Sequence, residues 1–148
     1  MSVKQISVFL ENKPGRLKEM TGFLAAKKID IRAISLAETK DFGIARLIVD
    51  DAFSAVNTLK ENDFIASLTS VLAIEIPDET GGLDKLLTAF ADTGVNIEYM
   101  YAFTTSKKLD HSYMIFRVAD TKAAEAKLIS KGIKILDQEE IAAIVNVD

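Results

Sequence analysis

The sequence predicts an α+β chain of two βαββαβ units, each an antiparallel four-stranded sheet with two helices on one face. Three observations predict it. A strand-like run, a glycine turn and a helix-like run occur in that order twice, the second set 66 residues after the first. Apolar residues alternate in some stretches and recur at helical spacing in others, in the same succession both times. The junction between the copies is almost free of linker, which places a first domain at residues 1–69 and a second at 70–148, packed closely.

Residues 4–11 open the first copy, with Ile6, Val8 and Leu10 on one face and Ser7 and Glu11 on the other. Phe9 interrupts the polarity of the second face. After Asn12-Lys13-Pro14-Gly15-Arg16-Leu17, the apolar residues Leu17, Met20 and Leu24 fall at helical spacing, with Arg16, Lys18 and Lys27 outward. A second strand is expected from Ile29 to about Thr39, a hairpin turn at Lys40-Asp41-Phe42-Gly43, and a third strand from Ile44 to Asp50. Asp51 suits the N-cap of a helix carrying Ala52, Ala55, Val56 and Leu59. That helix stops near Asn62-Asp63, and Phe64 to Leu68 reads as the fourth strand.

The pattern restarts with Leu72, Ile74 and Ile76. Asp78-Glu79-Thr80-Gly81-Gly82-Leu83 follows, then a helix stripe of Leu83, Leu86, Leu87 and Phe90, ended by Gly94. Strands are expected at Ile97–Thr105 and Ser112–Val118, a helix capped by Asp120 or Thr121 and ended by Gly132, and a last strand at Ile133–Leu136. Asp137-Gln138-Glu139-Glu140 reads as a solvated strand-to-helix edge, and Ile141 to Val147 as an amphipathic or strand-like tail.

Superposed, Ile6, Val8 and Leu10 fall on Leu72, Ile74 and Ile76, and Gly15, Leu17 and Met20 on Gly81, Leu83 and Leu86. Asp30-Ile31 falls on Asn96-Ile97. Past the middle hairpin the spacing grows to 69, bringing Ala45, Leu47 and Val49 onto Met114, Phe116 and Val118. A duplication that survives a change in loop length is evidence of two homologous units. The helices of each unit cover one sheet face and leave the other free. Tyr99, Tyr101 and Phe103 on one side of a strand, with Met100 and Ala102 on the other, predict a sheet face that pairs with a second unit or chain.

The chain has 148 residues, a net charge of −4, no cysteine and one histidine. Acidity argues against nucleic acid and, less strongly, against anionic membranes as partners. Without cysteine there are no disulfides or thiolate chemistry, which fits a cytoplasmic protein. Neither a signal peptide nor a run long enough to span a membrane is evident. His111 stands alone, without a second metal ligand or a nucleophile beside it, so no metal, cofactor or catalytic residue is expected.

The two glycine loops carry the chemistry. A loop that ends in glycine and opens a helix leaves backbone N–H groups pointing one way without helical acceptors, a setting for a carboxylate or phosphate. The bland reading is that the glycines only make turns and that Asp30 and Asn96 only satisfy local backbone.

A βαββαβ unit with a Pro-Gly-x-Leu turn after its first strand and Asp-Ile or Asn-Ile at its second resembles the ACT domain, a ferredoxin-like regulatory module that binds amino acids. The resemblance covers nearly the whole chain in tandem. It implies units side by side in one extended sheet, with effector sites between the first loop of one unit and the second strand of its neighbour. Carried onto this chain, the ligand-binding residues are Asn12, Pro14, Gly15, Arg16, Leu17, Asp30 and Ile31 in the first copy. In the second they are Asp78, Thr80, Gly81, Gly82, Leu83, Asn96, Ile97 and Tyr99. The loop N–H groups would hold the carboxylate, and Asp30 or Asn96 would accept from the ammonium. Arg16 could fill or gate the first site, whereas Gly82 would let a ligand approach the backbone, so the second loop is favoured.

The function implied is a non-enzymatic sensor of a free amino acid, as a homodimer, acting on an enzyme of amino-acid metabolism in trans. The alternatives are a dimerisation module with decayed ligand sites and a small enzyme on the same architecture. The enzyme reading lacks paired carboxylates at a recognisable spacing.

Overall fold

The structure, a computed structural model, describes residues 2–103 and 111–144. The chain divides into two compact units, Lys4–Thr69 and Ser70–Asp148, with Met1–Val3 counted to the latter. In order, the elements are β1 (Val3–Glu11), α1 (Arg16–Ala26), β2 (Ile31–Glu38), β3 (Phe42–Val49), α2 (Ala52–Glu61) and β4 (Ile65–Pro77). They continue as α3 (Gly82–Thr93), β5 (Tyr99–Ala102), β6 (His111–Arg117), α4 (Thr121–Ser130), β7 (Ile135–Leu136) and α5 (Gln138–Ile144).

In the first unit the strand order is β2-β3-β1-β4. Alternation sends Ile6, Val8, Leu10, Ala45, Leu47 and Val49 to one face, where they bury against Met20 and Leu24 of α1 and Ala55, Val56 and Leu59 of α2. In the second unit the order is β7-β4-β6-β5. There Leu72, Ile74, Ile76, Phe116 and Val118 bury against Leu86, Phe90, Ala124 and Leu128.

The duplication extends to strand register. Ile6 faces Leu47 and Val8 faces Ala45 in the first unit; Leu72 faces Phe116 and Ile74 faces Met114 in the second. Asp51 and Asp120 both cap their helices, accepting from Ser54 N and Ala123 N at 3.1 Å. Thr121 is the first helical residue, so the cap falls on Asp120.

Several expectations are corrected. The fourth strand does not stop at Leu68 but runs on through Ser70 to Pro77, because the residues between are strand-compatible and nothing breaks the backbone. The second strand begins at Ile31, since the N–H of Ile29 closes the end of α1 on the Leu24 carbonyl. The first hairpin turn is tighter than expected, with Phe42 and Gly43 already in β3 opposite Glu11 and Leu10. β5 covers only Tyr99–Ala102 and β7 only two residues, Ile135–Leu136. The tail begins as a helix. Asp137 accepts from Glu140 N at 2.8 Å while Glu140 accepts from Asp137 N at 3.2 Å, a reciprocal capping box that starts α5.

The sheet face of the second unit turned away from α3 and α4 is not free. Val71, Ala73, Tyr101, Tyr113 and Ile115 alternate with the core residues and are all buried. Thr104 and Thr105, the Lys107–Asp110 turn and the last four residues lie outside the described residues, as do the surroundings of the His111 side chain.

Candidate functional site

Each loop is built by the same hydrogen bonds. Lys13 N donates to Glu11 O, Arg16 N to Lys13 O and Glu19 N to Gly15 O; Glu79 N, Gly82 N and Lys85 N repeat them on Pro77 O, Glu79 O and Gly81 O. Gly15 and Gly81 occupy the N-cap positions of α1 and α3 with φ of 86° and 84°, where glycine avoids the clash a Cβ would bring. Glycine has no side chain with which to cap. The N–H groups of Leu17 and Lys18, and of Leu83 and Asp84, therefore have no acceptor among the described residues.

The first loop is closed by its own side chain. The Arg16 guanidinium stands 4.1 Å above the centre of the Phe64 ring. Its Nη1 is 3.2 Å from Glu19 and its Nε 3.9 Å from Glu11, leaving the side chain only 17% exposed. A hydrogen bond from Lys13, then the charges of Lys13 and Arg16, hold the Glu11 carboxyl below its ordinary range. Pro14 lies exposed in the turn, and Asn12 spends its N–H on Asp41 O and its carboxamide on Lys40 O at 3.5 Å.

The second loop carries no such plug. Asp78 and Thr80 are exposed, and Lys85 reaches back to Glu79 at 3.2 Å. Gly82 is buried, and a Cβ there would meet the Pro77 carbonyl oxygen at 2.5 Å. The close approach of Pro77 thus demands glycine here.

Asp30 stands beside a cation of its own unit. Its carboxylate lies 2.9 Å from Nη1 of Arg32, a side chain 4% exposed, so it already has a cation. The contact is an ion pair without hydrogen-bond alignment, for Nε and Nη1 of Arg32 find no aligned acceptor among the described residues. The Asp30 N–H donates to Asp50 Oδ1 at 3.0 Å. Asn96 is exposed and lines a cavity of about 270 Å³ with Gly94, Glu98, Asp120 and Lys127. Ile31, Ile97 and Leu17 pack against the cores of their own units, and Tyr99 is half-buried opposite Arg117.

Within a unit these residues do not converge. The loops sit at the head of α1 or α3, whereas Asp30 and Asn96 follow the tail of the same helix. Helices of this length span about 16–18 Å at 1.5 Å per residue.

Residue reading missed Lys85 and Lys134, which line a cavity beside Gly82. The signal was in the superposition, where Lys85 falls on Glu19 and reverses its charge. It also missed Tyr113, whose hydroxyl donates to Glu75 at 3.3 Å. Burial, then the Glu75 charge, pushes that phenol above its ordinary value of 10.0. Among the described residues no cluster of three or more His, Asp or Glu could hold a metal, and no helix is long and apolar enough to cross a membrane.

The family model for an ACT domain pair matches residues 1–145. The chain belongs to the ACT domain pair family. Among solved structures, this ACT pair is similar to protein BT0572 from Bacteroides thetaiotaomicron, with 37% identity, a TM-score of 0.88 and 96% of each chain covered. The regulatory subunit of aspartate kinase from Thermus thermophilus, in a ligand-free form, shares the fold at 22% identity and a TM-score of 0.66, over 89% of this chain and 92% of that one. The corresponding subunit from Thermus flavus does so at 20% identity and a TM-score of 0.62, over 88% and 90%. A search of curated proteins found no match. Both Thermus neighbours are regulatory subunits of aspartate kinase.

Proposed function

We propose that this ACT pair is a non-catalytic sensor that binds a free amino acid and acts on a separate cytoplasmic enzyme or regulator of amino-acid metabolism. The observation that carries the reading is the uncapped head of α3, where the N–H groups of Leu83 and Asp84 stand open in a unit of an ACT pair. A carboxylate placed there meets two donors and the positive end of the helix. The Asp84 carboxylate in the same turn offsets part of that attraction. Asp78, Thr80, Gly81, Gly82 and Leu83 form the working loop. Asn12, Pro14, Gly15, Arg16 and Leu17 form its closed counterpart.

Asn96, with Ile97 and Tyr99 beside it, lies about a helix length from the loop of its own unit. It meets a loop-bound ligand only from another copy of the unit, which a homodimer supplies. Binding would then favour one arrangement of subunits, and the partner reads that arrangement.

A thermal-shift screen against the twenty amino acids tests the reading. One or a few are expected to raise the melting temperature in a concentration-dependent way. A flat response to all twenty would remove amino-acid sensing and leave a dimerisation module with the same fold.

A further inference from the structure

One cavity occurs in both units at the same place. In the second unit it lies between the end of β4 (Ile76, Pro77), the first turn of α3 (Gly82, Lys85, Leu86) and the Gly132–Lys134 turn, with a volume of about 270 Å³. In the first unit it lies between Leu10, Glu11, Arg16, Asp63 and Ile65, with a volume of about 150 Å³. The correspondence is fixed by the backbone. Asp63 N and Phe64 N close α2 on Lys60 O and Leu59 O, and Gly132 N and Ile133 N close α4 on Ile129 O and Leu128 O.

The walls have changed in one direction. Where the first unit has Arg16 stacked on Phe64, the second has Gly82 and Ile133, so neither the plug nor the ring it rests on is present. Where the first has Glu11 and Glu19, the second has Pro77 and Lys85. Lys134 stands at the position of Ile65. A lining that carries Glu11 and Asp63 beside Arg16 has thus become one that carries Lys85 and Lys134 beside Glu75, around an apolar floor of Ile76, Leu86 and Ile133. Lys85 and Lys134 pair with Glu79 at 3.2 Å and Glu140 at 3.6 Å. Lys85, Glu79 and Lys134 are more than half exposed and Glu140 is 41% exposed, and water-screened pairs of this kind exchange partners at little cost. Glu75 lines the same cavity, and its carboxylate accepts from the Tyr113 hydroxyl at 3.3 Å.

We propose that this cavity of the second unit is where a small carboxylate-bearing molecule of amino-acid size binds, and that Arg16 closes the copy in the first unit. The carboxylate lies between Lys85 and Lys134, and the apolar part of the ligand lies on Ile76, Leu86 and Ile133. The volume suits one small molecule. This rests on the reading of the chain as an amino-acid sensor but moves the carboxylate from the Leu83 and Asp84 N–H groups to the neighbouring lysines, with one ligand per chain.

The test titrates each of the twenty amino acids, with acetate as a bare-carboxylate probe, into the full chain by calorimetry and by amide-resolved NMR. The variant K85E/K134I gives the second cavity the rim residues of the first through two exposed positions, and K122E is the charge control. The expected result is one site per chain, amide shifts at Gly82, Gly132 and Ile133, and affinity at least tenfold weaker in K85E/K134I but unchanged in K122E. Binding that leaves those amides still, or that K85E/K134I does not weaken, or that fills two sites per chain, overturns this location while leaving amino-acid sensing intact. Absence of binding by all twenty overturns both. The amide shifts of the unmodified chain decide the matter if the double variant does not fold.

Discussion

Gly82 and Pro77 come so close that a Cβ on the glycine would stand 2.5 Å from the proline carbonyl oxygen. That oxygen also accepts the Glu79 N–H at 2.9 Å, so the backbone cannot simply move away. Gly82→Ala should therefore cost about 1–3 kcal/mol, the range for overpacking a close-packed site. The denaturant midpoint measures it, and an unshifted midpoint would show that the loop gives way freely.

Gly81 makes the contrast. Nothing lies within 4 Å of its missing Cβ, but its φ is 84°. Gly81→Ala should cost about 1–2 kcal/mol from backbone conformation alone. Gly81→Asn should cost less, because asparagine tolerates the left-handed region. Equal losses for the two variants would argue against a conformational origin.

The fold was legible where local chemistry and periodicity agreed. The caps at Asp51 and Asp120, the turn glycines and the helix stripes each follow from a residue and its immediate neighbours. Continuity was not legible at Thr69-Ser70, where polar residues resembled a break and the strand runs straight through. The α5 start follows from the spacing of Asp137 and Glu140, a capping-box pattern set inside a charged run. In the site, the plugging role of Arg16 could be anticipated. The Arg32 partner of Asp30 could not, since a neighbouring basic residue in a strand says nothing of its burial.

That ion pair gives a third prediction. Asp30→Asn copies the amide found at Asn96 and removes the counter-ion of a guanidinium that is 4% exposed. Breaking a fully buried pair costs about 3–5 kcal/mol; with Asp30 largely exposed, a loss of about 1–2 kcal/mol is expected. Arg32→Met with Asp30→Asn should recover part of it. No recovery in the double variant would place the cost elsewhere than in the orphaned charge.

Asp51→Ala and Asp120→Ala should each destabilise by about 1 kcal/mol, the usual worth of an N-cap side chain. The two changes fall in different units, and their sum should hold in the double variant to within about 0.5 kcal/mol. Urea melts of the three variants decide it.

Tyr113 supplies a pH dependence. Burial and the Glu75 charge disfavour its phenolate, so its folded value lies above the ordinary 10.0. The contribution is whole below the ordinary value and is lost as pH rises through the higher folded one. Ultraviolet titration should find a phenol ionising above 10.0 that is lost in Tyr113→Phe. Glu75→Gln should bring it earlier without restoring 10.0, because burial remains. A spectrum in which Tyr113→Phe removes no such late phenol would refute the assignment.

The tight approach of Gly82 to Pro77 also bears on descent. After a duplication, either copy of the pocket is free to change, but the two are not equally easy to shut. A change at position 16 can open the first, since the Arg16 side chain lines its cavity and stacks on Phe64. Any side chain at position 82 meets the Pro77 oxygen, so the second copy acquires a plug by the same step only at a cost in stability. Selection acting on the repeats therefore meets a ratchet. The first pocket can be opened by a single change, while the second resists closure for a reason unconnected with whatever it binds.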